Sequence, residues 1–240
     1  MTAAREIVIS ESLDAAAVAA AERFIRVLTE VQAAGRAPQV VLTGGTLGIK
    51  VLEATGSSAA ASRVDWSNVD LYWGDERWMP NGHADRNDEQ AREGFLEALS
   101  IPTDRIHRFP ASDDGLTLDE AAVRYSATIA PAMLAGFDVV FLGVGPDGHV
   151  ASLFPARPDL TDATDPVIAV RNSPKPPPER LSLTIPLINT AHRVWLLCTG
   201  APKREAYANV LANVGAETAP AAVVRGTDET VIFADTEVLG

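Results

Sequence analysis

A single cysteine, Cys198, stands in 240 residues, and that scarcity closes several routes at once. One thiol forms no internal disulfide, and there is no Cys-x-x-Cys or mixed Cys/His spacing to hold a metal. Cys198 ends the apolar run Val194-Trp-Leu-Leu-Cys198, where a buried small hydrophobe is the plain reading. Lysine is almost as scarce: of 20 Lys and Arg residues, only Lys50, Lys175 and Lys203 are lysines. Positive charge is short overall. The formal net charge of −12 weighs against nucleic acid, whose binding depends on cationic contacts to phosphate. It leaves room for a small anion held by a local cluster of cations. No apolar stretch approaches the roughly 20 residues that span a bilayer. The opening Met1-Thr-Ala-Ala-Arg-Glu lacks the apolar core of a signal peptide. A cytoplasmic, metal-independent protein is the expectation.

Hydrophobic residues make up 47% of the chain, and no low-complexity block interrupts it. That composition belongs to a globular protein with enough length for a sizeable core. With no repeat and no clear linker, the expectation is a single domain over 1–240. Short strands are expected at Glu6–Ile9, Gln39–Leu42, Val69–Trp73, Phe137–Leu142, Val167–Val170, Leu181–Ile185, Val194–Cys198 and Thr230–Phe233. Helices are expected from Ser12 to about Ala34, from Leu47, over Asn87–Leu99 and Leu118–Leu134, and over Lys203–Val210. Irregular segments fall at 74–86, 155–166 and 171–180. Strands alternating with helices predict a three-layer α/β fold, with a mostly parallel sheet covered by helices on both faces.

The most informative stretch runs from Phe137 to Pro155. An apolar strand ends in a glycine-rich turn, Gly143-Val-Gly-Pro-Asp-Gly-His149, that carries Asp147 and His149 two residues apart. Open α/β folds keep ligands at the carboxyl ends of their strands, and histidine exchanges a proton near neutral pH. The turn also matches the dinucleotide pattern GxGxxG through Gly143, Gly145 and Gly148. Pro155 leaves only about one helical turn after His149, so the match is weak. A structural histidine is the plain alternative for His149, and His83, His107 and His192 read as surface or structural. Thr43-Gly44-Gly45-Thr46 lies between a strand and a helix, where free backbone N–H groups suit a phosphate, a structural turn being the alternative. In Gly74-Asp75-Glu76-Arg77, Arg77 is a candidate anion ligand and Asp75 a candidate for orienting a polar group; a solvated turn is the other reading. Lys175, Arg180 and Lys203 each sit near an element boundary, and with the two glycine turns they suggest a phosphate pocket.

Four blocks carry a resemblance: Thr43-Gly-Gly-Thr46, Trp73-Gly-Asp-Glu-Arg77, Leu142-Gly-Val-Gly-Pro-Asp-Gly-His-Val-Ala-Ser-Leu-Phe-Pro155, and Ser173-Pro-Lys-Pro-Pro-Pro-Glu-Arg-Leu-Ser-Leu-Thr184. Their order and spacing resemble the 6-phosphogluconolactonases over roughly residues 5–235. One departure is Leu47 after Thr46, where that family often has proline. The related glucosamine-6-phosphate deaminases share the glycine turns but carry tyrosine where this chain has Arg77, and glutamate five residues past the histidine, where this chain has Phe154. The resemblance implies hydrolysis of a sugar-phosphate lactone, an activated ester that needs no cofactor. It implies His149 as general base, with Asp147, Asp75 and Arg77 in the catalytic set. Thr43, Gly44, Gly45, Thr46, Lys175, Arg180 and Lys203 would hold the phosphate. The expected partner is the small-molecule lactone, with no nucleic acid and no membrane, and the chain a monomer or weak homodimer. Two other classes have less support. A sugar-phosphate sensor would normally carry a basic DNA-binding module, which is not found here, and a nicotinamide-dependent oxidoreductase rests only on the GxGxxG match.

Overall fold

Residues 5–240 are described by a computed structural model, so the expectation for Met1–Ala4 lies outside the described residues. The strands are β1 (Glu6–Ser10), β2 (Gln39–Leu42), β3 (Asp70–Trp73), β4 (Asp75–Arg77), β5 (Val139–Gly143), β6 (Val167–Val170), β7 (Arg180–Leu183), β8 (Arg193–Cys198) and β9 (Glu229–Asp235). The helices are α1 (Leu13–Ala33), α2 (Thr46–Ser57), α3 (Asn87–Gln90), α4 (Leu118–Ala135), α5 (Pro158–Thr161), α6 (Ile185–Ile188) and α7 (Arg204–Leu211). A six-stranded sheet runs in the order β1-β9-β8-β5-β2-β3, with every pairing parallel. The expected α/β architecture is the one found.

Local chemistry explains the main elements. β2 (Gln-Val-Val-Leu) is buried throughout, as a strand covered on both faces must be. Ser12 caps α1 by accepting from the Ala15 N–H at 3.2 Å. α4 starts with a capping box between Thr117 and Glu120 and stops at Gly136, whose φ of +83° favours glycine. The core between α1 and the sheet is an aromatic chain in which Phe24 meets Phe141 edge-on, Phe141 meets Trp195, and Trp195 meets Phe233.

The structure corrects three expectations. Residues 75–77, expected to be irregular, form β4, which pairs antiparallel with β7 in a second sheet of order β4-β7-β6. Gly74 makes the crossing: its N–H donates to Leu42 O at 2.9 Å in one sheet, and its carbonyl accepts from Leu183 N at 2.8 Å in the other. Polar composition hid this strand, because Asp75 and Glu76 are buried and paired instead of solvated. Leu181–Ile185 stops as a strand at Leu183, since Ile185-Pro186 opens α6 and proline suits a first helical turn. Asn87–Leu99 is one α-helical turn followed by a π-helical stretch, Arg92–Glu97. There Gly94 packs so closely on α2 that a Cβ on Gly56 would lie 2.1 Å from the Gly94 carbonyl oxygen.

β2 and β5 neighbour each other at the centre of the sheet, and from them the chain departs in opposite directions, to β3 and to β8. Such a reversal opens a crevice at the carboxyl ends of the strands. Both glycine-rich turns emerge there.

Candidate active site

The turn after β2 and the turn after β5 are joined directly, because the Gly143 N–H donates to Thr43 Oγ1 at 3.3 Å. Between them opens a cleft of about 180 Å³. Its walls include Thr43, Gly44 and Gly45 from the first turn and Gly145 and His149 from the second. Asp75 and Arg77 come from β4, and Arg180 and Lys203 from the starts of β7 and α7. Residues 160 positions apart in sequence therefore share one wall.

The turn carrying His149 is a tight reversal, not the start of a nucleotide-binding helix. Gly145 N donates to His149 O at 2.9 Å, Gly148 N donates to Gly145 O at 2.9 Å, and Val144 bridges Val150. The GxGxxG match thus has no helix after it. Within this reversal the His149 Nδ1 is hydrogen-bonded to Asp147 Oδ1. That bond assigns the Nδ1 proton to the carboxylate side and leaves Nε2 with a free lone pair in the neutral ring. Gly145 makes room for the pair: a Cβ there would lie 2.0 Å from the imidazole and 2.6 Å from Asp147 Oδ1. Lys175 stands behind, with Nζ 3.5 Å from Asp147 Oδ1 and 3.3 Å from His149 Nδ1. Partial burial pushes the Asp147 pKa up. The His149 hydrogen bond and the charges of His149 and Lys175 outweigh it and hold the carboxyl well below the usual carboxylate range. Phe154 packs against the imidazole with ring centroids 4.8 Å apart and is itself buried.

Asp75 is a buried hub. Ser152 Oγ donates to its Oδ2 at 2.7 Å, the Asn87 side-chain amide donates to its Oδ1 at 3.1 Å, and Arg180 Nη1 lies 3.9 Å away. The expected orienting role thus has concrete partners, Asn87 and Ser152, that sequence reading missed. Behind Asp75, Glu76 accepts from the backbone N–H groups of Arg77, Asn87 and Asp88 at 2.7–3.1 Å. Burial and the neighbouring Asp88 push the Glu76 carboxyl up, against the pull of Arg86 and these donors. Arg86, fully buried, is bonded in turn to Asp88 and to the Phe109 carbonyl. Acidic residues following a strand were the one available signal for this network.

The expected cations divide by position. Arg77 donates through Nη1 to Asp85 O at 2.6 Å and has a buried Nε without a partner. Arg180 is buried and clamps the 175–177 loop through the carbonyls of Lys175, Pro176 and Pro177 at 2.9–3.2 Å, while still lining the cleft. Lys203 lines the cleft, and burial, then Lys175, lower its pKa. Lys175 and Asp147 do not line it; they back His149. Thr46 is exposed at the first turn of α2. Of the other histidines, His107 bonds Asp70 at 2.9 Å and stacks on Tyr72, and His192 bonds Asp228 at 3.0 Å. Cys198 is buried, which pushes its thiol up to about 11. Among the described residues there is no cluster of His, Cys, Asp and Glu suited to a metal, and no helix long and apolar enough to cross a membrane.

Residues 11–233 match the family of glucosamine-6-phosphate isomerases and 6-phosphogluconolactonases. The chain belongs to this family. Within the glucosamine-6-phosphate isomerase/6-phosphogluconolactonase family it is 41% identical over 239 residues to the 6-phosphogluconolactonase of Streptomyces coelicolor, covering 96% of this chain and 92% of that one. It is 39% identical to the 6-phosphogluconolactonase of Mycobacterium tuberculosis, with 92% of each chain covered. Among solved structures, the 6-phosphogluconolactonase of Thermotoga maritima superposes with a TM-score of 0.83 at 26% identity, covering 97% of this chain and all of that one. A monomeric glucosamine-6-phosphate deaminase shares the fold, with a TM-score of 0.81 at 18% identity. The family therefore spans two chemistries on one scaffold. Arg77 and Phe154 stand at the two positions where the sequence reading separates them.

Proposed function

We propose that this protein hydrolyses 6-phospho-D-glucono-1,5-lactone to 6-phosphogluconate, a step of the oxidative pentose phosphate pathway. The observation that carries this reading is the His149–Asp147 pair beside Phe154 at the rim of a cationic cleft. An isomerising deaminase needs a further proton-carrying group near its histidine. Phe154 is apolar and fills that position, so His149 has no proton-carrying partner on that side, while Arg77, Arg180 and Lys203 line the cleft. The family's named relatives point the same way.

In the proposed mechanism Asp147 fixes the imidazole, and His149 Nε2 takes a proton from water as that water attacks C1. The carbonyl becomes a tetrahedral oxyanion, and Arg77 is the candidate donor for it. A donor aimed at developing charge in a water-poor site is typically worth about 3–4 kcal/mol. The C1–ring oxygen bond then breaks, and the protonated imidazole returns its proton to that oxygen, releasing the open-chain acid. Lys203, Arg180 and the Thr43-Gly44-Gly45 turn hold the phosphate, whose remote binding energy orients the reacting carbonyl.

The test is turnover of freshly generated 6-phosphogluconolactone, with glucosamine 6-phosphate as the control substrate. His149→Ala is expected to lower kcat by about 10²–10⁴-fold. Deaminase activity in the wild type, or a His149→Ala variant within a few-fold of it, refutes the reading.

A further inference from the structure

Lys175 is an expected phosphate ligand that stands away from the cleft walls. Its ammonium lies on the Nδ1 side of the His149 ring, 3.5 Å from Asp147 Oδ1 and 3.3 Å from His149 Nδ1. The loop that carries it is built to hold it there. Ser173 Oγ donates to the Lys175 carbonyl at 2.9 Å and accepts from the Lys175 N–H at 3.3 Å. Buried Arg180 donates to the carbonyls of Lys175, Pro176 and Pro177, which pins the backbone although the lysine side chain is half exposed. An ammonium has no acceptor, and Nδ1 carries the proton shared with Asp147. The approach of Nζ to Nδ1 is therefore no hydrogen bond. Both groups converge as donors on one oxygen, Asp147 Oδ1.

That convergence bears on the state of the ring. A carboxylate beside an imidazole favours the charged ring, and an imidazolium has no lone pair left to take a proton from water. Among the described residues Asp147 is the only carboxylate bonded to His149. Lys175 draws on the same oxygen and sets one positive charge against the ring, which disfavours a second there. The other cations around the ring line the cleft: Lys203 at the start of α7, Arg77 on β4 and Arg180 on β7. Among the described residues none of the three is paired with Asp147. We propose that Lys175 is a positioning residue for the hydrolysis: it shares Asp147 with His149 and so keeps the imidazole oriented yet uncharged, ready to act as a base. The inference rests on the lactone reading. Asp147 then orients the ring without keeping it protonated, and the phosphate is left to the cleft cations.

The test is the pH profile of kcat/KM for the lactone in wild type, Lys175→Met and Lys175→Arg, with spontaneous hydrolysis subtracted. Methionine keeps most of the stem and removes the charge. Because the ammonium is half exposed, the acid limb of Lys175→Met is expected to move up by about one pH unit. That variant should fall about tenfold below wild type on the acid side and stay within about threefold of it on the alkaline plateau. Lys175→Arg, which keeps the charge, should follow wild type. A phosphate contact would raise KM at every pH, and a merely structural role would lower kcat at every pH. A loss that does not vary with pH overturns the proposal. Should Lys175→Met fail to fold, the ¹⁵N resonances of the His149 ring in labelled wild type decide. At about pH 7 they should report a proton on Nδ1 and none on Nε2; a doubly protonated ring overturns the proposal. Wild type without turnover of the lactone overturns the lactone reading and this inference with it; turnover with parallel pH profiles overturns the inference alone.

Discussion

Gly145→Ala is a one-carbon change that addresses the proposed catalytic pair, His149 and Asp147, without touching either member. The added Cβ would lie 2.0 Å from His149 Cε1 and Nδ1 and 2.6 Å from Asp147 Oδ1. Ordinary contacts of this kind are about 3.5–4.0 Å, so the ring must retreat by roughly 1.5 Å. A misplacement of about 1 Å can cost 10²-fold in rate, and complete loss of general-base assistance costs up to about 10⁴-fold. The expected fall in kcat is therefore about 10²- to 10⁴-fold, approaching that of His149→Ala. Stability should change far less, because the displaced atoms are side-chain tips at the cleft edge. The control is Gly35→Ala, away from the cleft, where φ is +76° and a Cβ meets nothing within 4 Å. That change adds backbone strain of about 1–2 kcal/mol without crowding the imidazole. The assay pairs steady-state hydrolysis with a thermal melt of each variant. If Gly145→Ala keeps kcat within a few-fold of wild type while folding normally, the placement of the His149–Asp147 pair against this turn is wrong.

Lys203→Ala should chiefly raise KM for the phosphorylated lactone, by about tenfold or more if the charge meets phosphate; an unchanged KM removes that lysine from the site. Ser152→Ala strands one oxygen of the buried Asp75 carboxylate, now bonded at 2.7 Å, and should cost about 1.5–3 kcal/mol in urea unfolding. A loss below about 0.5 kcal/mol would show that Asp75 is held by its other partners. The Asp147 pKa is depressed by His149 and Lys175 against the effect of burial. Its contribution to stability is therefore full above its unfolded value of about 3.9 and is lost as pH falls below that. The stability gap between wild type and Asp147→Asn should shrink as pH falls from about 5 towards 3; a gap that widens over that range contradicts the ion pairing.

How much of this was legible in the sequence varies with the physical distance over which each feature is decided. The strand ending at Gly143, the reversal bearing Asp147 and His149, and the Thr43-Gly44-Gly45 turn are set by local patterning, and each was readable in a window of a few residues. The parallel α/β architecture followed from alternating periodicities. β4 was not legible, because Asp75-Glu76-Arg77 has the composition of a solvated turn. Only the packing of two sheets, with Ser152, Asn87 and Asp88 supplying donors, makes buried carboxylates acceptable there. Lys175 and Lys203 look alike in sequence, yet one backs the Asp147–His149 pair and the other lines the cleft. Side-chain direction beyond a loop depends on the neighbours it meets, and local pattern carries no record of that.

The sequence by itself determined most of the chain's elements, the family-specific blocks and the candidate histidine His149, because these depend on residue type and near-neighbour spacing. Only the tertiary structure decided which groups meet. It joined turns 100 residues apart through the Gly143–Thr43 bond, set Asp75 as a hub, and buried Asn87 Oδ1 against Gly44 without a hydrogen-bond partner. Contacts of that kind are fixed by how a parallel sheet brings distant strand ends together, and by which buried polar groups then find partners.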